Sequence, residues 1–292
     1  MNKIVSQNLT VILNVWRGDN LSFLNDSILS VINQTLIPTS LIIVSDGPIN
    51  KDQILLISIF VNKYPWIKFF NTDNQQGVWA ARNYALSLVN TKYVAFQDAD
   101  DIMHPMKLET QLKFFMKLNV DLLSTNMIEF DLDQRILGHR NLSIGEITLG
   151  KFRNSPINNP TLMANFEVFE KVGGYKNIYL MEDYLFLLHA IKNRVKIYNI
   201  GIPLTAFRVD DKFYKRRRGI KFIPAEIMIF KARLDLGMRI WNEVWILFTR
   251  IIFRILPSNL IYLFYKFYRL RNSSRSKWTN LESWRSDNLS IL

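Results

Sequence analysis

The chain of 292 residues contains no cysteine. Disulfides and thiolate metal sites are therefore excluded, and a reducing compartment, by default the cytoplasm, is the expectation. Long apolar runs are missing as well. Residues 1–9 carry one lysine and no extended apolar stretch, so neither a signal peptide nor a spanning helix is expected there. The longest uncharged stretch of the C-terminal third, Ile255 to Tyr265, has 11 residues and includes Pro257, well short of the roughly 20 that cross a bilayer. There is no internal repeat and no low-complexity linker. The loop after the first strand, Val15-Trp16-Arg17-Gly18-Asp19, has a single glycine, which argues against a triphosphate-binding loop.

What is present is distributed unevenly. Residues 1–208 hold 20 Lys and Arg against 18 Asp and Glu, whereas residues 209–292 hold 17 against 7. The first part alternates β-rich runs (9–15, 41–45, 67–71, 93–97) with helical patterns (21–33, 53–64, 77–89), and further on 122–130 reads as a strand and 167–172 and 182–192 as helices. The expectation is an α/β domain over residues 1–208, with a mostly parallel sheet whose ligands sit beyond the carboxyl ends of the strands. Residues 209–292 read as a basic, helical appendage, with one helix from 227 to 256 and another from 260 to 270.

Two acidic groups fall at strand ends: Asp46 before Gly47-Pro48, and Asp98-Ala99-Asp100-Asp101. Carboxylates two residues apart at a strand end can converge on a hard divalent cation, Mg²⁺ or Mn²⁺, that keeps positions open for diphosphate oxygens. By themselves they suit equally well an acidic turn ahead of the helix that starts near Pro105. Glu182-Asp183 alone reads first as helix capping. His104, His139 and His189 lack metal-ligand spacing and read as packing or surface residues.

The ordered set Ser30-Val31-Ile32-Asn33-Gln34-Thr35, Ile42-Ile43-Val44-Ser45-Asp46-Gly47-Pro48, Gly77-Val78-Trp79-Ala80-Ala81-Arg82-Asn83, Tyr93 to Ile102, His104 to Glu109, Gly173-Gly174-Tyr175 and Glu182-Asp183 resembles glycosyltransferase family 2, the inverting enzymes of the GT-A fold. The resemblance covers about residues 8 to 208. It implies that Asp46 contacts the uracil or ribose of a UDP-sugar donor, that Asp98 and Asp100 form the Asp-X-Asp element with Asp101 sharing the metal, and that Arg82 reaches the diphosphate. It further implies that Asp183 is the general base. An inverting transfer needs one base for the acceptor hydroxyl, while the metal takes the place of the second acid that glycoside hydrolysis requires. Two positions depart from the family pattern: Asn74 lies one residue further from Gly77 than is common, and Asn159 stands where many relatives carry histidine.

Lys215-Arg216-Arg217-Arg218 follow the catalytic pattern directly. No nucleic-acid module accompanies them; aromatic-rich amphipathic helices do. That combination is the profile of a peripheral membrane anchor on an anionic surface. A covering layer for the domain core, or a dimer contact, is the competing reading. The order Tyr-Lys-Arg-Arg-Arg-Gly, a long helix and then Arg-Ile-Leu-Pro is similar to bacterial family members that build O-antigen and other surface polysaccharide repeat units on undecaprenyl diphosphate. The expectation is transfer of a single hexose, galactose or glucose, to a lipid-linked saccharide at the cytoplasmic face of the inner membrane. The alternatives are a GT-A-like nucleotidyltransferase and an inactive membrane-binding module of the same fold.

Overall fold

A computed structural model describes residues 4–5, 8–148, 155–210, 219–257, 259–261, 263 and 276–287. In chain order its elements are β1 (Ile4–Val5), β2 (Leu9–Val15), α1 (Leu21–Ile32), β3 (Leu36–Ile37), β4 (Ser40–Ser45), α2 (Lys51–Lys63), β5 (Ile67–Phe70), α3 (Val78–Ser87), β6 (Tyr93–Asp98), β7 (Ile102–Met103), α4 (Lys107–Leu118), β8 (Leu122–Phe130), β9 (Ile136–Arg140) and β10 (Gly145–Glu146). They continue with β11 (Met163–Asn165), α5 (Phe166–Val172), α6 (Glu182–Lys192), β12 (Ile197–Arg208), α7 (Ile223–Asp235), α8 (Ile240–Ile255) and α9 (Leu281–Arg285).

The α/β architecture expected from the alternation is present. Ten strands form one sheet in the order β10-β12-β8-β11-β6-β2-β4-β5, with β7 on β12 and β9 on β8. β6, β2, β4 and β5 run parallel, and the short β11 is antiparallel to both of its neighbours, β6 and β8. Strands β2 and β4 are apolar on nearly every residue because helices cover both faces. One core packs Leu24, Ile28 and Leu108 against the sheet; the other packs Ala81, Phe169, Leu187 and Ile229 on the opposite face. Parallel pairing puts the carboxyl ends of β2, β4 and β6 on one edge, with Asn14 opposite Asp98.

Three features differ from the sequence reading. Residues 197–208 form a twelve-residue strand, although Gly201 and Pro203 interrupt the apolar pattern; the register shifts about Pro203 absorb them. The helix expected from 227 to 256 is two helices, parted at Gly237, whose φ of +82° is the left-handed conformation glycine adopts without steric cost. Finally, the chain after the described part of the tail returns to the sheet. Trp278, Leu281 and Trp284 are buried in the same core as β2, and Trp284 Nε1 donates to the Pro203 carbonyl at 3.1 Å. Of the helix expected over 260–270, only residues 260, 261 and 263 are described.

Candidate active site

The site lies where β2, β4 and β6 end. Asp98 is the last residue of β6, and its carbonyl accepts from Ser27 Oγ at 2.8 Å. Asp101 N–H closes the turn onto the Asp98 carbonyl at 3.3 Å, and Gln97 Nε2 donates to the Asp101 carbonyl at 2.7 Å. The Asp101 side chain is fully buried; its Oδ1 accepts from Arg208 N at 3.1 Å, and its Oδ2 has no hydrogen-bond partner. Burial first, then the charges of Asp100 and Asp98, push the Asp101 carboxyl well up.

Arg82, on α3, is 6% exposed and so is not a surface arginine. Its Nη1 donates to Glu182 Oε1 at 2.5 Å, its Nη2 lies 3.7 Å from Asp98 Oδ1, and its guanidinium stands 5.3 Å from the centre of the Tyr175 ring. Arg82 thus ties the acidic turn to the acidic pair at the start of α6. Burial raises the Glu182 carboxyl to about 7 against the pull of Arg82, and the neighbouring Asp183 adds to the rise. Asp183 lies in the first turn of α6 and accepts from Tyr184 N–H at 2.7 Å. Its charge adds to the rise of the Asp98 and Glu182 carboxyls, and Asp98 and Glu182 meet on Arg82.

Asp46 stands at the end of β4. Its Oδ1 accepts from the backbone N–H groups of Gln76 and Gly77, both at 2.9 Å. That bridge shapes a cleft of about 180 Å³ lined by Asp46, Thr72, Asn74, Gln76, Ala81 and Tyr84. Gly77 has φ +104°, and at Gly47 a Cβ would stand 2.7 Å from the Gln75 backbone nitrogen; the loop needs both glycines. Asn74, doubted on spacing, is on the cleft wall. Asn159 is buried, with its Oδ1 accepting from Tyr175 Oη at 3.2 Å and its Nδ2 unpartnered. Lys215, Arg216, Arg217 and Arg218 lie outside the described residues.

Three residues at this edge had no role in the sequence reading. Asp19, in the loop after β2, accepts from Trp16 N–H at 2.8 Å; burial lifts its carboxyl to about 7, with Asp100 and Asp98 adding to the rise. The strand-end rule that picked out Asp46 and Asp98 also reaches Asp19. Lys107 is a fully buried cation whose Nζ donates to the carbonyls of Pro160 and Phe96 at 2.5 and 3.3 Å. Burial lowers it to about 7 while Asp101 and Asp98 pull the other way. Arg208, at the end of β12, holds the acidic turn from the far side, a pairing across 108 residues that no local pattern announces.

Among the described residues no three Asp, Glu or His side chains form a ready metal cage. Asp98 is turned to Arg82 and Asp101 to Arg208. The all-oxygen donor set and the orphaned Asp101 Oδ2 nevertheless fit Mg²⁺ or Mn²⁺, ions held by one or two carboxylates together with substrate phosphates.

Comparison with known proteins agrees with this geometry. The chain is 28% identical over 261 residues to a UDP-Gal:α-D-GlcNAc-diphosphoundecaprenol β-1,3-galactosyltransferase of Escherichia coli, covering 88% of this chain and 94% of that one. It is 23% identical over 260 residues to the amylovoran biosynthesis glycosyltransferase AmsE of Erwinia amylovora, covering 88% and 97%. The fold matches Staphylococcus aureus TarS with a TM-score of 0.62 at 19% identity, spanning 82% of this chain and 42% of TarS. TarS 1–349 in complex with UDP-GlcNAc matches with a TM-score of 0.61 at 17% identity, over 82% and 70% of the two chains. The family model for glycosyl transferase family 2 matches residues 11–173, more than half of the chain, and with the GT-A architecture around it the chain belongs to glycosyl transferase family 2.

Proposed function

We propose that the chain is an inverting hexosyltransferase that moves one galactose or glucose from its UDP form to a saccharide carried on undecaprenyl diphosphate, working at the cytoplasmic face of the inner membrane. The observation that carries the reading is the pairing of Arg82 with both Asp98 and Glu182, the neighbour of Asp183 in sequence, close in the chain to the cleft under Asp46. The nucleotide occupies that cleft, with Asp46 and the loop it shapes meeting the base or ribose. Arg82 faces the diphosphate and holds Asp98 and Glu182 in register. Asp183 takes the proton of the acceptor hydroxyl as that oxygen attacks the anomeric carbon from the side opposite the diphosphate. Asp98, Asp100 and Asp101 would hold a divalent cation, which would supply charge neutralisation for the departing UDP.

The named activity of the E. coli relative supports a lipid-linked acceptor, and the region from residue 209 supports a membrane partner. In α8, Trp241, Trp245 and Phe248 are 83%, 60% and 53% exposed. A strongly basic tail flanks them, complementary to anionic lipid. Lys215 to Arg218 are assigned to the acceptor's diphosphate or the lipid headgroups. The test is incubation with labelled UDP-sugars, Mn²⁺ and lipid-linked GlcNAc. Label should enter the lipid phase from UDP-galactose or UDP-glucose, and Asp183→Asn should lose turnover while keeping UDP affinity. Full turnover in Asp183→Asn would remove the assigned base.

A further inference from the structure

The acidic turn sets three carboxylates within four residues, an arrangement that mutual repulsion tends to open. Its carbonyls are pinned one by one: Asp98 by Ser27 Oγ, Asp101 by Gln97 Nε2, and Asp100 by Arg208 Nε at 3.0 Å. Arg208 is the residue that reaches both aspartates beyond the strand, since its backbone N–H also donates to Asp101 Oδ1 at 3.1 Å. A second side-chain nitrogen is fixed too. Nη2 donates to Asp26 Oδ2 on α1 at 3.1 Å, and the guanidinium lies 4.1 Å from the centre of the Phe23 ring and 4.6 Å from that of Phe130. The side chain is 5% exposed. It is held by α1 and β8 and in turn holds the turn.

We infer that Arg208 is a positioning residue for the cation: it sets the Asp100-Asp101 turn in the geometry in which these carboxylates meet a divalent ion and a nucleotide diphosphate. This rests on the proposed cation role of Asp98, Asp100 and Asp101. Arginine is required because two acceptors on different elements, Asp100 O and Asp26 Oδ2, are reached from separate nitrogens of one plane stacked on rings. A lysine ammonium is a point charge without that plane. Asp101 keeps its bond from the 208 backbone in any side-chain variant, so the substitution removes the Asp100 clamp and its Asp26 anchor while leaving the Asp101 bond in place.

The experiment is a Mn²⁺ titration read by electron paramagnetic resonance at saturating UDP, on wild type, Arg208→Lys and Asp26→Asn, with UDP affinity in EDTA measured alongside. Partners that orient metal ligands are typically worth about ten- to a hundredfold in metal affinity. Arg208→Lys should accordingly bind Mn²⁺ about tenfold more weakly with metal-free UDP affinity unchanged, and Asp26→Asn should show a smaller loss of the same kind. Wild-type Mn²⁺ affinity in Arg208→Lys overturns the inference, as does a parallel fall in metal-free UDP binding, which marks a general structural role. Should Arg208→Lys not fold, Asp26→Asn decides by the same two readouts. A wild type that binds UDP but no Mn²⁺ would overturn the cation reading itself, and the inference with it.

Discussion

Helices α1 and α8 are both amphipathic, and they face opposite ways. α1 turns Leu24, Ile28 and Val31 into the core. α8 turns its charges inward: Glu243 is its one buried residue, paired with Arg233 of α7, while Arg250 and Arg254 both reach Glu226 of α7 at 2.5 and 2.8 Å. Trp241, Val244, Trp245, Phe248 and Ile252 are exposed on its other side. Burying ion pairs costs desolvation, and exposing tryptophan to water forfeits the hydrophobic gain, so α8 facing water alone is unfavourably arranged on both sides. Among the described residues no helix is long and apolar enough to cross a membrane, so the proposed membrane partner would take α8 lying in its interface. The charged side is also the site-facing side. Arg233 Nη1 donates to Tyr184 Oη at 2.8 Å, next to the proposed base, and Arg254 approaches Met181. The α7–α8 pair is thereby fastened to the helix that carries Asp183.

The largest expected effect breaks that fastening. Glu226→Gln removes the charge shared by Arg250 and Arg254, and loss of one partner from a buried ion pair costs about 4 kcal/mol. Urea unfolding should show it, and a wild-type midpoint would mean the inward charges do not hold α8. Next comes the outward face. Replacing Trp241 and Trp245 together by serine removes about 3 kcal/mol of burial in an interface, about a hundredfold in partitioning to anionic vesicles at unchanged urea stability. If binding to vesicles persists and the protein instead turns from dimer to monomer, a second copy is the occupant. A third pair compares the helices directly. Ile28→Ala in α1 should cost about 3 kcal/mol of stability, whereas Phe248→Ala in α8, which leaves an exposed position, should change it by less than about 0.5 kcal/mol. Equal losses in the two would erase the distinction.

The sheet was legible because β2, β4 and β6 are largely apolar runs, β4 and β6 ending in acidic turns, and the motif order singled out Asp46, Asp98 and Asp183. Period alone told less about the tail. Arg239, Glu243, Arg250 and Arg254 fall on one stripe of the helical pattern, yet a helical wheel does not say which side meets the protein. That depends on Glu226, which lies on another helix. The break at Gly237 was passed over because a single glycine inside a helical pattern is often tolerated. Arg208 and Lys107 escape the sequence for a related reason: Lys107 meets only backbone carbonyls, Arg208 one carbonyl and the distant Asp26, and which of these come within reach is decided by tertiary packing, not by residue type.

The tail also contains a segment that behaves like α1. Residues 276–287 bury Trp278, Leu281 and Trp284, and His104 Nε2 donates to the Trp284 carbonyl at 3.0 Å while its ring meets the Trp284 ring edge-on. Burial lowers His104 from 6.5 to about 4, with the Trp284 carbonyl and Asp287 opposing the change. The released state therefore binds the proton more readily than the docked one. The contribution is complete above the unfolded value of 6.5 and falls as the pH drops from there towards 4. Going from pH 7 to pH 5 should cost about 2 kcal/mol, read as loss of hydrogen-exchange protection in 276–287 with α8 unaffected. His104→Gln should flatten that dependence. An unchanged slope in the variant would mean that another group drives the release, and that the two halves of the tail differ in packing but not in their response to acid.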